Sequence, residues 1–253
     1  MKALILAAGL GTRLRPLTNT TPKPLLPVAG IPLLQYHLDS LRQHGINEIL
    51  INTHYFADQI NDFVKNYSMQ NPDMLIRTSF EPELLGSAGT LRSNIDFFKD
   101  TDHFFITYGD NLTGINYTKL LIEHKNHGAM VTIASYKEPK PEMKGIIRFD
   151  QNHRILQFIE KPKPEQITTH DANAGIYIMN KSIFDYLDRN QTPLDFGHHV
   201  FPYLLEAGIP IYVYLMNSTD EPLLDIGTPK SYEEAQDLAR RINKDIIERN
   251  IIK

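Results

Sequence analysis

Ala3-Leu4-Ile5-Leu6-Ala7-Ala8-Gly9-Leu10-Gly11-Thr12-Arg13-Leu14-Arg15-Pro16-Leu17-Thr18, followed by Pro22-Lys23-Pro24, is the stretch on which the reading of the fold turns. Its apolar run, Ala3 to Ala7, reads as a buried first strand. Gly9 and Gly11 let the backbone turn tightly and bring its N–H groups close to an anion. Arg13, Arg15 and Lys23 surround the same turn with positive charge. A strand opening into such a loop, with a helix to follow, suits phosphates.

Two phosphate-binding signatures fail on spacing. The dinucleotide fingerprint G-x-G-x-x-G needs a glycine where Leu14 stands, and no acidic residue lies at the ribose-reading distance. The pattern G-x-x-x-x-G-K-[ST] also breaks at Leu14. What remains, G-x-G-T-R-L-x-P-L-T with a later P-K-P, resembles the signature of sugar-1-phosphate nucleotidylyltransferases, also called NDP-sugar pyrophosphorylases. The spelling is nearest to mannose-1-phosphate guanylyltransferase-like members. The resemblance implies that Ala8, Gly9, Gly11, Thr12 and Arg13 bind the nucleotide, with Arg13 and Lys23 holding the triphosphate during the reaction.

Outward from this loop, strand candidates are Ala3–Ala7, Glu48–Asn52, Met74–Ser79 and His103–Thr107, alternating with helix candidates Leu33–Gln43, Ala57–Tyr67 and Ala88–Phe98. Gly45 reads as a helix C-cap, and Asn116 as the cap of a further helix through Lys125. The order predicts an α/β fold with a mostly parallel sheet covered by helices on both faces. The second half offers strands Met130–Ser135, Ile146–Phe149, Ile155–Glu160, Asn173–Met179 and Ile211–Leu215, with a helix over Ser182–Arg189 opened by a Ser cap. Thr228 caps a terminal helix, Pro229–Arg249. The expected organisation is one domain, with a nucleotide-binding part over about residues 1–128 and a sugar-phosphate-binding part over about 129–227. Within the latter, Ala129 to Tyr214 reads as an inserted, substrate-facing portion. A C-terminal helix follows over about 229–249. The resemblance implies a Rossmann-like mixed sheet sandwiched by helices, of the nucleotide-diphospho-sugar transferase type. It also implies no left-handed β-helix extension, since 253 residues leave no room for one.

Composition narrows the partners. A net charge of −4 gives no global field for a polynucleotide, so an anionic ligand depends on a local cluster. The absence of cysteine rules out disulfides, thiol nucleophiles and Cys-based zinc sites. The apolar start is too short for a signal peptide, and no apolar stretch is long enough to span a membrane. The expected location is the cytosol, with no nucleic-acid or membrane partner; a homodimer is one assembly open to the chain. The ten histidines form no H-E-x-x-H pattern, so surface or core roles outweigh zinc binding.

Ligands of open α/β sheets sit beyond the carboxyl ends of the strands, which picks out Gly109-Asp110-Asn111. Asp225, in Leu224-Asp225-Ile226-Gly227-Thr228-Pro229, stands just before a capped helix. On the residues alone, Asp110 reads first as part of an Asp-Asn turn after a strand, whereas Asp225 reads as pointing into a cleft, with a structural cap as its alternative. The resemblance places the magnesium-binding aspartates at this Gly-Asp and this D-I-G-T-P, so Mg2+ between Asp110 and Asp225 is implied. It further implies that Lys161, in Glu160-Lys161-Pro162, contacts the phosphate of the sugar phosphate while Glu160 binds sugar hydroxyls. Asn173 and Gly175, in N-A-G-I-Y, would border the sugar, and Gly145 would touch it through its backbone. Lys144 stands where the family usually has an aromatic residue. Leu85-Gly86-Ser87-Ala88-Gly89 resembles the loop that borders the base, bringing in Gly86, Ser87 and Gly89; Glu81 is a base contact by position.

The implied reaction is NTP plus sugar 1-phosphate giving NDP-sugar plus pyrophosphate, a step in nucleotide-sugar biosynthesis that would serve cell-envelope polysaccharide. GTP with mannose or heptose 1-phosphate is the favoured pair. A uridylyl- or thymidylyltransferase acting on a hexose or amino-sugar 1-phosphate is the alternative, and a non-catalytic nucleotide-sugar-binding regulator a second. A metal-dependent glycosyltransferase would show D-x-D, where this chain has Gly109-Asp110-Asn111.

Overall fold

The computed structural model describes residues 1–251, with side chains described through Ile242. Its strands are β1 (Lys2–Leu6), β2 (Pro27–Val28), β3 (Ile31–Pro32), β4 (Glu48–Thr53), β5 (Leu75–Phe80), β6 (His103–Tyr108), β7 (Asn111–Thr113), β8 (Val131–Lys137), β9 (Gly145–Phe149), β10 (Ile155–Glu160), β11 (Asp171–Asn180), β12 (Ile211–Leu215) and β13 (Leu223–Asp225). The helices are α1 (Leu33–Gln43), α2 (Ala57–Gln70), α3 (Ser87–Ser93), α4 (Ile95–Phe98), α5 (Tyr117–Asn126), α6 (Phe201–Glu206) and α7 (Pro229–Ile251).

Nine strands form the main sheet, in the order β10-β9-β11-β6-β1-β4-β5, with β8 beside β11 and β12 beside β8. The opening half supplies its parallel part: β1 pairs with both β4 and β6, and β4 with β5. The later strands extend the same sheet, because β11 runs antiparallel to β6 and to β8. The predicted mixed α/β class, with a mostly parallel centre and helices on both faces, is therefore the observed one.

Burial on both faces explains why β1 reads as an unbroken apolar run. Leu4, Ile106 and Tyr177 point into one core, together with Leu91, Phe98 and Phe201. Their alternate neighbours Ala3, Ile5, Phe105 and Ile178 point into the other, against Leu38 and Leu41 of α1 and Ile60 of α2. Each leucine, isoleucine or phenylalanine among them, taken fully from water, contributes about 1.5–3 kcal/mol. A third cluster packs Leu14, Leu112 and Ile226 against Ala235 and Leu238 of α7, seating the opening loop on the terminal helix.

Most expected caps are present. Gly45 stands at φ 70° and donates to Arg42 O at 2.9 Å. The Asn116 side chain accepts from Lys119 N at 3.0 Å, and Thr228 Oγ1 accepts from Ser231 N at 3.1 Å. Three expectations are corrected. No α-helix directly follows the glycine loop: Thr12–Leu14, Leu17–Asn19 and Lys23–Leu25 are single 3-10 turns, separated by Pro16 and Pro22, with Pro24 inside the last. The helix expected over Ala88–Phe98 is two helices, parted at Asn94, whose side chain turns back to Thr90 O at 2.8 Å. The segment expected as a Ser-capped helix is a 3-10 helix over Lys181–Tyr186, capped by Asn180.

Candidate active site

Two cavities open beyond the carboxyl ends of β1 and β6 and meet at Asp110. The larger, of about 370 Å3, is lined by the opening loop, by Asn52 and Glu81, and by the 84–90 segment. The smaller, of about 150 Å3, is lined by residues of β9, β10 and β11 together with Asp225. Tyr108, Asp110 and Asp195 face both.

The opening loop owes its shape to Gly11. It stands at φ 62°, and a Cβ there would lie 2.9 Å from the Thr18 methyl and 3.2 Å from Lys23 Cβ. Thr18 Oγ1 donates to Gly11 O at 2.8 Å, closing the loop on itself. This places Ala8, Gly9, Gly11, Thr12, Arg13 and Lys23 on the wall of the larger cavity.

Where the cavities meet, the buried Lys23 ammonium lies 2.9 Å from Asp110 Oδ2 and 3.8 Å from Asp225 Oδ1. The backbone brings the two aspartates together: β13 pairs with β7 so that Asp225 faces Asn111, and Ile226 N–H donates to Asp110 O at 3.0 Å. Lys144 pairs with the other oxygen of Asp225. Burial pushes the Asp110 carboxyl up, but the charge and hydrogen bond of Lys23 outweigh it, leaving the group below the usual carboxylate range. Gly227 lies close against this group, since a Cβ there would lie 2.9 Å from Arg13 Nη2 and 3.2 Å from Asp225 Oδ1.

Magnesium binds through one or two carboxylates, completing its shell with phosphate oxygens and water. Asp110 and Asp225 fit that demand, because both reach one cation. Moreover, Asp225 Oδ1 is buried and accepts no hydrogen bond. No group of three or more His, Asp or Glu that could hold a metal gathers among the described residues.

The smaller cavity assembles Gly145, Glu160, Asn173 and Gly175. Glu160 is the residue that most needs glycine neighbours: a Cβ on Gly145 or Gly197 would lie 2.7 or 2.6 Å from its Oε2. Burial lifts its carboxyl above the ordinary range, Asp195 adding to the rise against the pull of His198, Lys161 and Lys144. Asn173 is already committed, accepting from Gly175 N at 2.9 Å and donating to Tyr177 Oη at 2.9 Å. Lys161 lies apart from this group: it is exposed and lines neither cavity.

At the far end of the larger cavity, Gly86 at φ 82° lets Leu194 approach, and both Ala88 N and Gly89 N donate to Leu194 O. Ser87 Oγ accepts from Phe196 N at 3.0 Å. Glu81 is buried, and its carboxylate accepts from Asn52 Nδ2 at 2.9 Å, from Thr90 Oγ1 at 2.5 Å and from Leu85 N at 3.2 Å. The other end of Asn52 accepts from Ala7 N at 2.7 Å, tying the opening loop to the Glu81 segment. Sequence reasoning missed Asn52, Thr90, Tyr108 and Asp195 on these walls. Asn52 is next to last in β4 and Tyr108 is last in β6, so the strand-end rule that found Asp110 could have found them; Asp195 had no such signal.

The family model "Nucleotidyl transferase" matches residues 2–241. A UTP–glucose-1-phosphate uridylyltransferase from Synechocystis sp. is 36% identical over 249 residues, covering 93% of this chain and 62% of the relative. The mannose-1-phosphate guanylyltransferase catalytic subunit beta of Dictyostelium discoideum is 31% identical, covering 92% of this chain and 62% of its own. The chain thus spans about three fifths of the length of these curated relatives. Among solved structures, "a Putative Glucose-1-Phosphate Thymidylyltransferase from Bacillus anthracis in Complex with a Sucrose" superposes with a TM-score of 0.83 at 26% identity, covering 95% of both chains.

Proposed function

The chain belongs to the nucleotidyl transferase family, and on that premise we propose that it transfers a nucleotidyl group from an NTP to a sugar 1-phosphate, releasing pyrophosphate. The observation that carries the reading is the convergence of Asp110 and Asp225 on one ammonium where the two cavities join. A nucleoside triphosphate in the larger cavity and a sugar phosphate in the smaller would bring their phosphates together there.

A phosphate oxygen of the sugar 1-phosphate attacks the α-phosphorus, and the bond from that phosphorus to the bridging oxygen breaks. The electron pair leaves with pyrophosphate. The nucleophile is already an anion, so no side chain has to remove a proton. The work of the residues is to position two mutually repelling groups and to neutralise developing charge. Arg13 and Lys23 hold the triphosphate; Lys161, Glu160, Asn173 and Gly175 are assigned to the sugar phosphate. Asp110 and Asp225 hold Mg2+, which when bound supplies charge neutralisation at the phosphates.

We favour GTP with mannose or heptose 1-phosphate, on the spelling of the Glu81–Thr90 segment. UTP or dTTP with a hexose or amino-sugar 1-phosphate is the second reading, supported by the uridylyltransferase among the relatives. A matrix of four NTPs against mannose, heptose, glucose and amino-sugar 1-phosphates, read by pyrophosphate release, tests both. The expected result is magnesium-dependent release with one preferred pair. Release from no pair refutes the transferase assignment.

A further inference from the structure

The smaller cavity poses an electrostatic difficulty for the ligand assigned to it. A phosphate monoester carries a charge of about −1.5 to −2 at neutral pH. Yet the charged side chains on this wall are Asp110, Glu160, Asp195 and Asp225 against Lys144, with Lys23 answering Asp110 from the junction of the two cavities. Unrelieved, the remaining carboxylates around a narrow cavity would turn such a ligand away.

Lys161 acts on Glu160, the residue before it, but from outside the cavity. It leaves the β9–β10 ladder at φ 48°, is exposed, and lines neither cavity. Its N–H donates to Lys144 O at 2.9 Å, so the two lysines are neighbours across the end of the same ladder. Lys144 is the one turned inward. Its side chain is 21% exposed, and its ammonium rests on Asp225 beside the point where the two cavities meet. An ammonium has three donors, and one bond to Asp225 leaves two for an arriving anion.

We propose that Lys144 is the group that admits and holds the phosphate of the sugar 1-phosphate, ahead of Lys161. This rests on reading the smaller cavity as the sugar-phosphate site. Lysine suits the task because a compact charge on a flexible stem can keep Asp225 while following the phosphate.

The test is direct binding to the full chain by titration calorimetry, without nucleotide. The probes are mannose 1-phosphate, glucose 1-phosphate and inorganic phosphate. Lys144→Met is expected to weaken binding of whichever probe the unmodified protein holds by about 10- to 100-fold, the scale of one charge-assisted contact. GTP and UTP affinities should stay within about twofold, because the nucleotide lies in the other cavity. Lys144→Arg should recover most of the loss, and Lys161→Met should lose less than Lys144→Met. In turnover, the loss should appear in the KM for the sugar phosphate and not in that for the NTP.

Phosphate binding unchanged in a folded Lys144→Met, or lost only in Lys161→Met, overturns the proposal. So does tighter Mn2+ binding by Lys144→Met with sugar-phosphate affinity unchanged, which would make Lys144 merely the counter-ion of Asp225. Failure of the unmodified protein to bind any of the three probes also overturns it. Intact probe binding without pyrophosphate release from any NTP sinks the transferase reading alone. Should Lys144→Met fail to fold, Lys144→Gln with the same titrations decides.

Discussion

Adding one methyl group at Gly227 disturbs the proposed reaction centre without removing any chemical group from it. In Gly227→Ala the new Cβ would stand 2.9 Å from Arg13 Nη2 and 3.2 Å from Asp225 Oδ1, where ordinary contact begins at 3.4 Å. The guanidinium must therefore withdraw by about half an ångström, which the free end of an arginine can do without unfolding anything. Misplacing a reacting group by about 1 Å costs on the order of 100-fold in rate. If the barrier grows in proportion to displacement, half that distance raises it by about 1.4 kcal/mol, or roughly tenfold in kcat/KM for the NTP. Melting temperature should change by less than about 3 °C, the scale of 1 kcal/mol in a chain of this size. Pyrophosphate release and thermal melting, measured on the same preparation, separate the two effects. A folded Gly227→Ala with undiminished kcat/KM would refute the placement of Arg13 at the transferring phosphate.

Asp110→Asn and Asp225→Asn should each lower turnover by about 100-fold or more. Each should also abolish any rise in melting temperature that Mg2+ with NTP gives the unmodified protein; a retained rise would remove the pair as the metal site. Gly86→Ala should destabilise by about 2 kcal/mol or more, dropping the melting temperature by at least about 4 °C. Its φ is 82°, and the added Cβ would meet the Leu194 carbonyl oxygen at 2.4 Å, which is backbone and cannot step aside. Acid should weaken the fold through His124, which burial, helped by nearby positive charge, holds down at about 3. The folded protein keeps this ring neutral between Thr132 Oγ1 and His103, whereas the unfolded chain protonates near 6.5. Its contribution is therefore complete above about pH 6.5 and is lost as pH falls towards the folded value, by about 2 kcal/mol at pH 5. Chemical denaturation of His124→Gln should show a flatter pH dependence over that interval; an unchanged slope would exclude His124 as its source.

Much of the frame was readable because its causes are local. β10 and β12 fall on the predicted residues, β1 is displaced by one residue, and β6 runs one residue further than predicted. Continuous apolar runs and their bounding turn residues are properties of a few consecutive positions. The breaks were harder. The 3-10 turns after the glycine loop and the parting of α3 from α4 at Asn94 depend on prolines and side-chain bonds that compete with a helical pattern. The short pair β7 and β13 had no signal, since three residues each show no periodicity and gain meaning only opposite one another.

The linear order of residues was enough to locate the phosphate-type loop, the strand alternation, and the aspartates Asp110 and Asp225 as residues of interest. Tyrosine, lysine and carboxylate partners across the cavity were settled only by folding. Lys23 meets Asp110 across 87 positions, and Lys144 meets Asp225 across 81. Such meetings depend on the pairing of β13 with β7 and on Gly227 leaving space. The same holds for Lys144 facing inward while Lys161 faces solvent, and for Asp195 joining both walls. Backbone preference acts over a few residues, whereas the field at a site is the sum of charges that only the packed sheet brings together.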